Sequence, residues 1–126
     1  FADNKLTTDV DMYEYMRRQT LTHPAVGLGG PSLRWLHKSL IETRCLAARP
    51  APDMPCLTFL GTNERIVDMP RIKQRMASWP NGRLEMVAGA EHEVLMETLP
   101  IRSKIFDDAA AFFERNRIPQ AKAKSA

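Results

Sequence analysis

Cysteine is scarce in this chain, and long apolar runs are missing from it. Cys45 and Cys56 are its two cysteines, and neither belongs to a CxxC pair or to a cluster with the spacing of zinc ligands. We therefore expect two free thiols in a reducing compartment, with a disulfide between them as the open alternative. Because no apolar stretch approaches the roughly 20 residues of a membrane-spanning helix, the sequence predicts no such helix.

Basic charge is not concentrated either. The net charge is +3, and the arginine-rich spots are spread along the 126 residues, at positions 17–18, 71–75 and 115–117. Proteins that bind nucleic acid usually cluster their basic residues and interleave them with aromatic ones, so we predict no nucleic-acid partner. Weak attraction to an anionic lipid surface stays open. Because the sequence begins at Phe1 and not at Met, we expect that it was cut or is a piece of a longer chain.

The chain does contain alternating signals for helices and strands. Helical spacing predicts helices at residues 8–20, 32–48, 70–79 and 102–116, and short apolar runs predict strands at residues 56–60 and 84–87. From residue 56 the order strand, helix, strand, helix predicts a parallel α/β sheet. The first strand is a nearly continuous apolar run, which is typical of a strand buried on both faces. Since two strands alone are marginal in water, we expect the rest of the sheet to lie outside this sequence.

Carboxylates follow directly after the first predicted strand. Glu64 and Asp68 lie in the segment at residues 61–68, and loops at the carboxyl ends of parallel strands are where α/β folds carry their sites. The alternative is an ordinary solvated loop in which Asp68 caps the following helix.

A histidine follows the second predicted strand in the same way. His92 lies between Glu91 and Glu93, and alone it would more often be a surface residue than a catalytic one. A metal site there is disfavoured, because adjacent residues of an extended loop point apart and His23 and His37 have no supporting spacing.

Together the two loops indicate a catalytic pair. Glu64 and His92 are one strand-helix-strand unit apart, so both loops should open at the same edge of the sheet. An acid followed by a histidine in this order matches the last two members of the nucleophile, acid and histidine series of α/β-hydrolases.

The sequence resembles the lysophospholipase L2 and monoacylglycerol lipase group of the α/β-hydrolases. Its acid loop is similar to the pattern Gly-x-x-Asp/Glu-Arg-x-Val-Asp and reads Gly61-Thr62-Asn63-Glu64-Arg65-Ile66-Val67-Asp68. Its histidine loop is similar to the pattern Gly-Ala-x-His-Glu-x-x-x-Glu and reads Gly89-Ala90-Glu91-His92-Glu93-Val94-Leu95-Met96-Glu97. The upstream segments that resemble the group's cap region are Asn4-Lys5-Leu6-Thr7-Thr8-Asp9 and Leu28-Gly29-Gly30-Pro31 with Trp35.

The resemblance implies the C-terminal half of an α/β-hydrolase fold, with a helical cap segment, the last two parallel strands and their helices. Its expected divisions are a cap segment at residues 1–52, a core at 53–118 and a disordered tail at 119–126. His92 is the expected catalytic base and Glu64 the acid, although most relatives carry Asp at that position; Asp68 is the alternative acid and is interpreted as a supporting or capping residue.

The nucleophile that these residues would serve is missing from the sequence. No Gly-x-Ser-x-Gly elbow surrounds any of its serines, which are Ser32, Ser39, Ser78, Ser103 and Ser125. The resemblance therefore implies a partner, the N-terminal half of the same fold with the nucleophilic serine, and a lipid-like ester substrate such as a lysophospholipid or monoacylglycerol.

We expect no metal or organic cofactor and a cytoplasmic location, with peripheral contact with the inner membrane as an open alternative. The alternative function is a non-catalytic interaction module that reuses half of a hydrolase.

Overall fold

Two helices precede two parallel strands, and each strand is followed by a helix. The structure, a computed structural model, describes residues 2–27 and 29–117. In chain order its elements are α1 (Val10–Thr22), α2 (Leu33–Ala47), β1 (Cys56–Gly61), α3 (Met69–Ala77), β2 (Gly82–Val87) and α4 (Leu99–Arg115). Short 3-10 turns lie at Pro24–Val26 and Val94–Met96. The predicted tail at residues 119–126 lies outside the described residues, and the division between residues 52 and 53 stays a prediction.

Three helices begin where a side-chain acceptor precedes them. Asp9, Ser32 and Asp68 each accept a hydrogen bond from a backbone N–H in the first turn of α1, α2 and α3, respectively. Such caps satisfy N–H groups that have no partner within the helix. The interpretation of Asp68 as the cap of the helix that follows it is confirmed.

The strands β1 and β2 pair in parallel, as the sequence predicts. Cys56 lies opposite Gly82 at one end of the ladder and Gly61 opposite Val87 at the other. Because β1 and β2 end side by side, the loops that follow them start at the same edge of the sheet. The second edge of β1 has no partner strand within residues 2–27 and 29–117. Its pairing with a strand outside this sequence stays a prediction.

The helices α3 and α4 lie on opposite faces of this sheet. The Thr58 hydroxyl is 3.3 Å from the Met76 sulfur of α3, whereas its neighbour Phe59 lines a groove together with Ile101 and Ile105 of α4. Successive side chains of a strand point to opposite faces, so the two helices sandwich β1. Met76 and Ile105 are among the buried apolar residues of the core.

Burial of β1 and α4 is incomplete among the described residues. Residues 56–59 of β1 are only partly buried, because among the described residues β1 has one neighbouring strand rather than two, and Cys56 is therefore not a buried core residue. Phe113 of α4 is 72% exposed.

We expect Ile105→Ala to lower the free energy of unfolding by about 2–5 kcal/mol, because it opens a cavity at a residue that is 3% exposed. Phe113→Ala, on the same helix, should change it by less than about 0.5 kcal/mol. Urea denaturation of the three proteins measures both. Equal losses from the two substitutions would contradict the described packing of α4.

Candidate active site

The loops that follow β1 and β2 are bonded to each other directly beyond the sheet. The ladder continues through Thr62 N–H to the Val87 carbonyl and Asn63 N–H to the Ala90 carbonyl, both at 3.0 Å. Side chains add two further links: the Asn63 amide donates to the Gly89 carbonyl at 2.9 Å, and Gly89 N–H donates to the Thr62 hydroxyl at 2.8 Å. The two loops therefore form one unit.

Two glycines permit this close approach. A Cβ atom at Gly61 would overlap the backbone carbonyls of Ala90 and Glu91, so a side chain there would push the two loops apart. Gly89 opens the histidine loop with a φ of +75°, a left-handed conformation that glycine adopts without steric cost. The two glycines that begin the sequence motifs are thus explained by the backbone.

Glu64 and His92 lie in direct contact in this unit. The Nδ1 atom of His92 is 2.6 Å from Oε2 of Glu64, a distance within the range expected for an acid and a histidine of one catalytic site. The Glu64 side chain is 2% exposed and that of His92 29%. The acid is therefore shielded from water, whereas the imidazole reaches the surface.

Backbone donors hold the other oxygen of Glu64. Its Oε1 accepts hydrogen bonds from Ile66 N–H at 2.5 Å and from Val67 N–H at 3.1 Å. Burial acts to raise the pKa of Glu64, but the bonds from Ile66, His92 and Val67 outweigh burial and leave its pKa below the ordinary value of 4.5. Glu64 is therefore an ionised acceptor, and His92 donates its Nδ1 proton to it.

Asp68 does not face His92. Its Oδ1 accepts from Arg71 N–H at 3.2 Å, its Oδ2 pairs with the Arg71 guanidinium at 3.1 Å, and its side chain is 54% exposed. It is the cap of α3, as interpreted from the sequence. Asp68 therefore has no contact with His92 that would support the alternative assignment.

The two glutamates beside His92 point away from its ring. Glu91 pairs with Arg65 of the acid loop at 2.8 Å, and Glu93 is exposed. No group of three potential metal-binding side chains occurs among the residues that the structure describes. The ion pair between Arg65 and Glu91 is a further link between the acid loop and the histidine loop.

The second ring nitrogen of His92 has no protein partner in the described part of the chain, where no serine hydroxyl bonds to it. Ser32 caps α2, and the Ser78 hydroxyl donates to the Arg75 carbonyl at the end of α3. With Nδ1 occupied by Glu64, Nε2 is the atom that can accept a proton from a nucleophile.

The cysteines carry no part of this site. Both Cys45, which is exposed, and Cys56, which is partly exposed, are free thiols in the structure. The two cysteines therefore form no disulfide in this fold. The reducing compartment stays a prediction.

Two residues near the site, Thr7 and Thr8, were not identified from the sequence as contacts of the histidine loop. The Thr7 hydroxyl donates to the Met96 carbonyl at 2.6 Å, and Thr8 N–H donates to the buried carboxylate of Glu97 at 3.1 Å. The only signal was indirect, since both segments belong to stretches that resemble one family. Their contact joins residues 89 positions apart, which no local pattern can indicate.

The fold and the loops define a class. The structure superposes with a TM-score of 0.70 on a soluble variant of monoglyceride lipase from Saccharomyces cerevisiae, solved with a substrate analog, over 89% of this chain and 41% of that one at 17% identity. The chain has the fold of the C-terminal portion of an α/β-hydrolase, as predicted.

The sequence comparison gives the nearer group. The chain is 33% identical over 110 residues to a probable lysophospholipase L2 from Haemophilus influenzae and 30% identical over 128 residues to lysophospholipase L2 from Escherichia coli. These alignments cover 86% and 94% of the chain, but the chain spans only 35% and 37% of the relatives' lengths. No protein-family model matches it. The resemblance to the lysophospholipase L2 and monoacylglycerol lipase group is confirmed.

The lowered pKa of Glu64 predicts an acid-sensitive fold. Unfolding returns Glu64 to its ordinary pKa of 4.5, so its ionised form stabilises the fold above that pH, and this stabilisation is lost as the pH falls through the lower pKa of the folded state. We therefore expect the wild-type chain to lose more stability than Glu64→Gln between about pH 7 and about pH 3. Denaturant unfolding across this range measures the difference. Parallel pH profiles of the two proteins would contradict the assigned hydrogen bonds.

Proposed function

We propose that this chain supplies the acid and the histidine of a serine hydrolase that cleaves carboxylic esters of lipid-like substrates. The observation that carries the proposal is the 2.6 Å contact between His92 and a buried, ionised Glu64. A carboxylate in this position fixes the tautomer of the ring and stabilises the imidazolium that forms during acyl transfer. The exposed side of His92 leaves Nε2 accessible to a nucleophile.

The proposed reaction needs a serine from a segment outside the described residues. That serine attacks the ester carbonyl while Nε2 of His92 takes its proton. The imidazolium, held by Glu64, then gives the proton to the leaving alcohol, and an acyl-enzyme remains. Water attacks the acyl-enzyme with His92 again as the base, which releases the fatty acid and restores the serine.

The nucleophile is proposed to come from the N-terminal half of the same fold. In α/β-hydrolases that half carries the serine elbow and the oxyanion hole. Two observations support this partner: the second edge of β1 has no neighbour among the described strands, and residues 56–59 are only partly buried. An unpaired edge with an apolar strand favours association with another strand.

The substrate class is proposed from the relatives. The similar proteins are named lysophospholipase and monoglyceride lipase. A lysophospholipid or a monoacylglycerol is therefore the expected ester. No helix of the described part of the chain has the length and apolar character to cross a membrane. A cytoplasmic location with peripheral contact with the inner membrane stays a hypothesis.

The non-catalytic interaction module remains the second candidate. Its support is the absence of a serine elbow from the sequence. An interaction module would have no need to retain a buried carboxylate bonded to an accessible histidine, so the geometry favours the hydrolase.

We expect the purified 126-residue chain to leave p-nitrophenyl esters uncleaved, because it has no nucleophile for His92 to activate. The same assay with the enzyme completed by the nucleophile-bearing half should show turnover that a serine-directed phosphonate blocks. Phosphonate-sensitive turnover by the chain alone would contradict the proposed division of the site.

We expect His92→Ala in the completed enzyme to lower kcat by several orders of magnitude, up to about a million-fold, because the proton carrier is lost. Glu64→Gln should cost roughly 10,000-fold. Since Oε1 is held by the N–H groups of Ile66 and Val67, the new amide nitrogen would take the place of Oε2 and face Nδ1. Two donors would then oppose each other and favour the tautomer that cannot accept the serine proton.

The matched control is Asp68→Asn, four residues along the same loop, which should leave kcat nearly unchanged because Asp68 only caps α3. Steady-state kinetics on a lysophospholipid measure all three variants. An Asp68→Asn loss as large as that of Glu64→Gln would overturn the acid assignment.

A further inference from the structure

Glu97 is a buried carboxylate held entirely by uncharged donors. Its exposure is 0%, and none of the described cations pairs with it. Its Oε1 accepts from Glu91 N–H at 2.7 Å, and both of its oxygens accept from Thr8 N–H, at 3.2 and 3.1 Å. The Thr8 hydroxyl donates to Oε2 as well. Burying a carboxylate is unfavourable unless hydrogen bonds offset the loss of hydration. Glu97 therefore depends on these donors to stay buried.

The bonds of Glu97 connect the residue that precedes the candidate histidine to the segment that leads into α1. Glu91 directly precedes His92 in the chain, whereas Thr8 belongs to the segment that leads into α1. The same segment runs alongside the loop elsewhere: Glu93 N–H donates to the Leu6 carbonyl at 2.7 Å, and the Thr7 hydroxyl to the Met96 carbonyl at 2.6 Å. Residues 4–9 thus bracket His92 from both sides.

Apart from these bonds, the links to the acid loop are what hold the histidine loop in place. Residues 88–93 belong to neither a strand nor a helix, and only the short turn Val94–Met96 follows before α4. The position of the backbone at His92 therefore depends on its links to the acid loop and to residues 4–9. A displacement of about 1 Å in a reacting group can cost about 100-fold in rate.

We propose that Glu97 is a positioning residue that makes the placement of His92 depend on the segment at residues 4–9, and through it on α1. The inference rests on the proposed hydrolase function. Glu97 does not touch the ester; it holds Glu91 N–H and Thr8 together so that the His92 ring meets Glu64 with Nε2 directed outward. The position of α1 relative to the sheet is thereby coupled to the placement of His92.

The test uses the completed enzyme and three substitutions. Glu97→Ala removes every acceptor and should lower kcat by about 10- to 100-fold, with KM nearly unchanged. Glu97→Gln keeps one carbonyl oxygen for Glu91 N–H, and the Thr8 hydroxyl can turn to accept from the new amide, so it should restore most of the loss. The matched control is Glu114→Ala, which should behave as wild type. The carboxylate of Glu114 lies on α4 and is 76% exposed.

A spectroscopic measurement separates positioning from general damage. The His92 Nδ1 proton, bonded to Glu64 at 2.6 Å, should give a far-downfield proton resonance in the full chain. That resonance should persist in Glu97→Gln and Glu114→Ala and shift or vanish in Glu97→Ala. If Glu97→Ala fails to fold, Thr8→Val, which removes one donor only, should give a smaller loss of kcat and a smaller shift.

The outcomes distinguish the two proposals. A wild-type enzyme without phosphonate-sensitive activity would reject the hydrolase function, while the resonance would still test the coupling. An active enzyme in which Glu97→Ala matches Glu114→Ala, or in which only KM rises, would overturn the positioning role. So would an unshifted resonance in folded Glu97→Ala or Thr8→Val.

Discussion

The burial of carboxylates at the ends of two parallel strands is the constraint on which the rest of this structure depends. Glu64, Glu91 and Glu97 are each at most 8% exposed, and a carboxylate in such a place needs donors to offset its lost hydration. Backbone amides and an imidazole hold Glu64, and backbone amides and a hydroxyl hold Glu97. The Arg65 guanidinium holds one oxygen of Glu91, whose other oxygen has no hydrogen-bond partner among the described residues. The loops take the shape that brings these donors together, and His92 is placed as a consequence.

The apolar contribution to this arrangement is small by comparison. Leu60, Met76, Ala90 and Ile105 are the buried apolar residues reported for the described chain, while neither α1 nor α2 buries any residue. Large apolar side chains such as Leu33 and Trp35 stay exposed. These exposed apolar surfaces agree with the proposed association with the N-terminal half of the fold.

Local signals in the sequence predicted the elements, because helices and strands are set by nearby residues. Asp9, Ser32 and Asp68 mark helix starts that the structure reproduces, and glycines end both strand patterns. Burial was harder to predict: the apolar run of β1 indicated a strand buried on both faces, and the described residues supply only one neighbouring strand. The link between Thr8 and Glu97 was inaccessible, since it joins residues 89 positions apart through a three-dimensional contact.

The choice of glutamate at position 64 follows from the same constraint. One oxygen turns back onto the N–H groups of Ile66 and Val67, while the other reaches His92. An aspartate is shorter by one carbon–carbon bond, about 1.5 Å, so on this backbone it could not span both sets of donors. The longer side chain of Glu64 thus both fixes the conformation of its own loop and orients the imidazole of His92. Because one carboxylate does both, the stability of the acid loop and the placement of the His92 ring cannot be varied independently.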